Sequence, residues 1–123
     1  MSLCLLAAAL TVPLTGDTVT LAWSHSVEHV RWEETWRDTP EGLVLVEARV
    51  KGSGAGMDPP PEAHLEDGFW AWTPAIPPLA EVVLRRSGAT ADWELCHDGA
   101  CRSMAALLPP EADPVTLAPC PAG

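Results

Sequence analysis

Along residues 18–23 the chain alternates Val19, Leu21 and Trp23 with Thr18, Thr20 and Ala22, the period of two that a strand with one buried and one wet face requires. Residues 18–27, 43–50, 81–86 and 93–96 carry the clearest strand signals: each is rich in β-branched, aromatic or aliphatic side chains and is bounded by turn formers. Trp32, Glu34 and Trp36 share a parity, so on a strand they project from one face while Glu33, Thr35 and Arg37 project from the other. A carboxylate set between two indoles is unusual and singles out Glu34. Asp38-Thr39-Pro40-Glu41-Gly42 predicts a hairpin turn after that strand, because proline presets one turn torsion and glycine permits another. Residues 3–14, the longest apolar stretch, predict a buried first strand that turns at Thr15-Gly16-Asp17.

Residues 52–62 are too rich in glycine and proline to continue a ladder and predict a surface loop. A short tryptophan-bearing strand is expected over 68–74 and a helical turn over 103–108, stopped by Pro109-Pro110. Residues 109–123 predict an extended, proline-rich tail over the surface. The expected fold is therefore all-β, a small antiparallel sandwich or barrel-like meander in one domain spanning 1–123, with 109–123 as its tail.

Composition changes this picture in two ways. The large apolar pieces are six tryptophans with one phenylalanine and no tyrosine, so each buried indole N–H needs an acceptor. The balance of 7 basic against 17 acidic residues, a net charge of -10, repels phosphate backbones and argues against nucleic acid as a partner. The apolar stretch at 3–14 is about half the ~20 residues of a membrane-spanning helix, so no membrane span is expected. It reads as a strand rather than a signal-peptide core, since no Lys or Arg precedes it.

In Cys96-His97-Asp98-Gly99-Ala100-Cys101, Asp98-Gly99 reads as a two-residue hairpin turn. His97 and Ala100 then form the hydrogen-bonded pair, and Cys96 and Cys101 oppose each other at the closer, non-hydrogen-bonded position, which suits a disulfide. A second bridge between Cys4 and Cys120 would tie the first strand to the tail, although four cysteines allow three pairings. Two bridges imply an oxidising compartment.

His25-Ser26-Val27-Glu28-His29 matches the H-x-x-E-H pattern of zinc proteases, whose mechanism needs both imidazoles on one helical face. The surrounding residues alternate like a strand, on which the two histidines would stand about 13 Å apart, too far to share one ion. A metal-dependent hydrolase using His25, Glu28 and His29 is thus the alternative function, and no metal or cofactor is expected. Ser26 lacks a nucleophile elbow, and adjacent strand side chains point apart, so His25 is poorly placed to serve it as a base. Lys51-Gly52-Ser53-Gly54-Ala55-Gly56-Met57 lacks the Gly-Lys-Ser/Thr ending of a phosphate loop. Its glycines suit a tight crossing of strands, or backbone N–H groups closing around a carboxylate.

Taken in order, His25-Ser26-Val27-Glu28, Trp32-Glu33-Glu34-Thr35-Trp36, Gly52-Ser53-Gly54-Ala55-Gly56-Met57 and the residues around Trp70 and Trp72 resemble the bacterial family catalogued as domain of unknown function 1850. The resemblance covers nearly the whole chain. It implies a non-catalytic accessory role, because members are often encoded beside TAXI-branch tripartite ATP-independent periplasmic (TRAP) transporters, which import small organic solutes. The partners it implies are transporter subunits or such a solute, and the location it implies is periplasmic or membrane-associated. Many relatives carry an N-terminal hydrophobic anchor, where this chain offers only residues 3–14. Carried over, the pattern points to His25, Ser26, Glu34, Gly54, Ala55 and Gly56 as a shared site or structural knot. With Glu28 added from the His-Ser-Val-Glu run, these residues form the expected binding set, a polar pocket lined by indoles.

Overall fold

The computed structural model describes residues 2–24, 30–51, 60–86, 92–97 and 99–121. Strands run in chain order as β1 (Leu3–Ala7), β2 (Leu10–Pro13), β3 (Thr18–Ser24), β4 (Arg31–Thr39), β5 (Gly42–Lys51), β6 (His64–Glu66), β7 (Phe69–Trp72), β8 (Val82–Leu84), β9 (Glu94–His97), β10 (Ala100–Ser103) and β11 (Val115–Pro119). A 3-10 turn at Met104–Ala106, capped by the Ser103 hydroxyl, occupies the expected helical stretch. The strands form a four-stranded sheet, β2-β1-β11-β8, and a seven-stranded sheet, β10-β9-β3-β4-β5-β7-β6. Every pairing is antiparallel. The sheets pack as a sandwich rather than closing into a barrel.

The alternation of β3 sets the core. Val19 and Leu21 join Trp36, Leu43, Leu45 and Leu95 from the large sheet and Leu3, Leu5, Leu84, Val115 and Leu117 from the small one in a single buried cluster. The hairpin from β4 to β5 turns at Pro40 and Glu41, as proline and glycine require. Gly42 has φ +128° and lies against the Leu79 carbonyl, where a Cβ would come within 2.8 Å. No other residue fits there without moving that backbone. Leu43 and Leu79 exchange backbone hydrogen bonds of 2.7 and 2.9 Å, pinning the crossing between β7 and β8.

Two expectations need correcting. Residues 3–14 are not one strand but a hairpin: the chain reverses at Ala8, φ 51°, and Leu10 returns opposite Ala7. β1 is buried, but β2 is an exposed edge with Leu10 45% accessible. An apolar run cannot by itself say which part will face the core. The proline-rich stretch 109–123 is extended, as expected, but does more than wrap the surface. Its Val115–Pro119 segment lies between β1 and β8, with Val115 and Leu117 fully buried. Pro114 and Pro119 sit before and at the end of that strand, where a missing N–H costs least.

Both expected disulfides are present. Cys96 and Cys101 face each other across the β9–β10 hairpin with Cα atoms 4.0 Å apart, a little closer than the ~4.5 Å of an ordinary non-hydrogen-bonded pair. Cys4 and Cys120 close a loop of 116 residues at the start of β1 and the end of β11. Two disulfides are compatible with an extracellular or periplasmic location. Among the described residues no helix is long and apolar enough to cross a membrane.

Candidate functional site

The parity read from the sequence holds: Trp32, Glu34 and Trp36 on β4 stand opposite Trp23, Leu21 and Val19 on β3, on the inner face of the large sheet. A register shift between Thr35 and Trp36 then sets Glu34 opposite Ala48 and Trp32 opposite Val50 on β5. Ala48 is in turn opposite Trp72, and Val50 opposite Trp70, on β7. Two rows therefore cross the sheet side by side, Leu21-Glu34-Ala48-Trp72 and Trp23-Trp32-Val50-Trp70. The small sheet covers the core beside them, and Trp23, Trp32, Glu34, Trp70 and Trp72 lie outside the core cluster. Trp23 stacks on Trp32, with centroids 6.2 Å apart and planes 10° from parallel, and meets Trp93 at 5.0 Å.

Charge is sorted by face. All four basic residues of β4 and β5, Arg31, Arg37, Arg49 and Lys51, alternate onto the outer face. There Arg31 pairs with Glu33 at 2.8 Å and with Glu94 at 2.6 Å, and Arg49 reaches Glu33 at 3.5 Å. Arg49 and Lys51 both sit over the Phe69 ring, at 4.3 and 4.9 Å from its centroid. Glu34 is left on the inner face with no basic residue of β3, β4, β5 or β7 in its own row or the row beside it; the row reaches a basic residue only at Arg102 on β10, three strands away.

Burial pushes the Glu34 carboxyl above its ordinary pKa, and the neighbouring Trp36 indole acts in the opposite, smaller sense. That indole N–H is itself buried and makes no hydrogen bond of normal geometry. A carboxyl raised in the folded state costs stability. The cost is absent below the unfolded pKa, grows as pH rises towards the folded pKa, and stays in place above it. At neutral pH the fold holds Glu34 against its own stability.

Of the residues expected to form the site, Glu34 is described, while His25, Ser26, Glu28, Gly54, Ala55 and Gly56 lie outside the described residues, as does His29. Ser24 and Lys51, the described residues immediately before those two segments of the sequence, are at the same end of the large sheet, each one step beyond the Trp23-Trp32-Val50-Trp70 row. Among the described residues no group of three or more His, Cys, Asp or Glu is placed to hold a metal ion. Sequence reasoning pointed to indoles in general but did not connect Trp23, Trp70 and Trp72 to Glu34. The Trp-x-Trp spacing at 70 and 72, with the parity of 32 and 36, is the signal that could have done so.

A family model described as "Domain of unknown function (DUF1850)" matches residues 19–104. No curated protein and no solved structure matches the chain.

Proposed function

The chain belongs to the family described as domain of unknown function (DUF1850), and from that premise we propose that it is a non-catalytic accessory or binding domain of a TRAP-type solute transporter. The site is the inner face around Glu34 together with His25, Ser26, Glu28, Gly54, Ala55 and Gly56. The observation that carries the reading is Glu34 itself: a half-buried carboxylate on an indole-bearing face, kept apart from the basic residues of its own strand. A group held at a cost to the fold is best explained by a contact made outside it. The transporter context rests on the family resemblance, and the disulfides fit the periplasmic side on which such a partner would be met.

The test is recovery of partners. Tagged protein purified from its native host in mild detergent is expected to bring down membrane or solute-binding subunits of a transporter, identified by mass spectrometry. Glu34→Gln is expected to lower that recovery if the partner meets this face. Recovery of no transporter subunit by the wild-type chain would overturn the accessory role.

A further inference from the structure

Resting on the binding role just proposed, we infer that Glu34 and the indoles around it receive the cationic headgroup of a small organic solute, a quaternary or protonated ammonium. Three features of the inner face converge on this chemistry. First, the carboxylate has Trp32 two positions before it along β4 and Trp72 on the far side of Ala48, while Trp36, two positions after it, belongs to the buried core. Strands lie about 4.8 Å apart, so Glu34 and Trp72 stand about 10 Å apart across the sheet. The residue between them contributes only a methyl group.

Second, the face offers negative charge without its usual partner. The strand's own arginines, together with Arg49 and Lys51, lie on the opposite side of the sheet, and no ion pair of the described residues reaches Glu34. An anionic headgroup would meet a like charge here, and a neutral apolar one would leave the carboxylate desolvated and unpaired. Third, indole faces carry the negative end of a quadrupole and attract a cation within about 6 Å of the ring centre, tryptophan most strongly of the aromatic residues. A carboxylate flanked by Trp32 and Trp72 therefore offers one charge partner and indole π faces to a bulky, weakly hydrated cation, which a small metal ion could not use as well.

The probes are tetramethylammonium and choline, with 3,3-dimethylbutan-1-ol as the uncharged counterpart of choline and acetate as the anion. Binding is followed by tryptophan fluorescence and by calorimetry on the disulfide-intact chain. Saturable binding of the two cations is expected, with the neutral alcohol at least about tenfold weaker. Glu34→Gln should weaken cation binding by about tenfold or more, and Trp72→Leu by roughly three- to tenfold. Equal binding of choline and the alcohol, or cation binding unchanged in Glu34→Gln, would overturn the cationic assignment. So would binding of acetate with the cations silent, and so would silence with all four probes. None of these results touches the accessory role, which the recovery of transporter subunits decides separately.

Discussion

Replacing Cys4 and Cys120 together by alanine is expected to cost about 5 kcal/mol of unfolding free energy on the chain-entropy account, because the bridge closes a loop of 116 residues. The position adds to the effect. Cys4 is buried in β1, Cys120 follows β11, and the Cys120 N–H donates to the Ser2 carbonyl at 3.0 Å. β1 and β11 are the inner strands of a four-stranded sheet, so loosening their shared end exposes Leu3, Leu5 and Leu117 together. The matching replacement of Cys96 and Cys101 removes a loop of sequence separation 5 and is expected to cost only about 2 kcal/mol. Urea unfolding of the two double variants beside the wild type measures both. Equal losses would show that loop length does not govern the effect.

Arg86→Ala is expected to destabilise the chain by about 3 kcal/mol, the lower end of the loss on breaking a buried pair. The Arg86 side chain is 6% accessible and pairs with Asp92, Nη2 to Oδ2 at 2.6 Å and Nε to Oδ1 at 3.2 Å. The same guanidinium donates to the carbonyls of Leu108, Pro109 and Ala112. One side chain thus fastens the segment after the 3-10 turn to the approach of β9, and its removal leaves a carboxylate and three carbonyls without that donor. Arg86→Lys is expected to recover only part of the loss, since an ammonium cannot reproduce the planar fork.

The pair also gives a pH signature. Hydrogen bonding to Arg86 holds the Asp92 carboxyl below the usual carboxylate range. Its contribution is fully present above the unfolded aspartate pKa and is lost as pH falls through the lower folded value. That acid-side loss should be missing from Arg86→Ala when unfolding is followed from pH 5 downwards.

The sequence made individual strands legible more readily than their partners. The alternation at residues 18–23 and the shared parity of Trp32, Glu34 and Trp36 named the inner face before any pairing was known, because a strand's period is a local property. The Cys96–Cys101 bridge was legible for the same reason: a two-residue turn fixes the register on both sides of it. β11 was hidden by its prolines, and its burial depends on β1 and β8, more than 30 residues away in sequence in the nearer case. β6, with Leu65 61% accessible, carries too few apolar residues to announce itself.

The site divides along the same line. Glu34 stood out because a carboxylate between two indoles conflicts with the buried face that the pattern assigns to it. Its closeness to Trp72 follows from the shift between Thr35 and Trp36 and from the pairing of β5 with β7 across a long connection. Neither is written in local periodicity. His25, Ser26, Glu28 and the glycines at 54 and 56 were singled out by their pattern alone, and the described residues contribute only the sheet end from which both segments depart.

Whether Glu34 serves a contact or the fold itself is decided most directly by comparing urea unfolding of the wild type and Glu34→Gln at neutral pH and again near pH 4. The variant is expected to be the more stable at neutral pH, with an unchanged denaturant slope, and the difference to shrink as pH falls and the wild-type carboxyl protonates. A Glu34→Gln chain less stable than the wild type at neutral pH would contradict that expectation and make the carboxylate a structural knot.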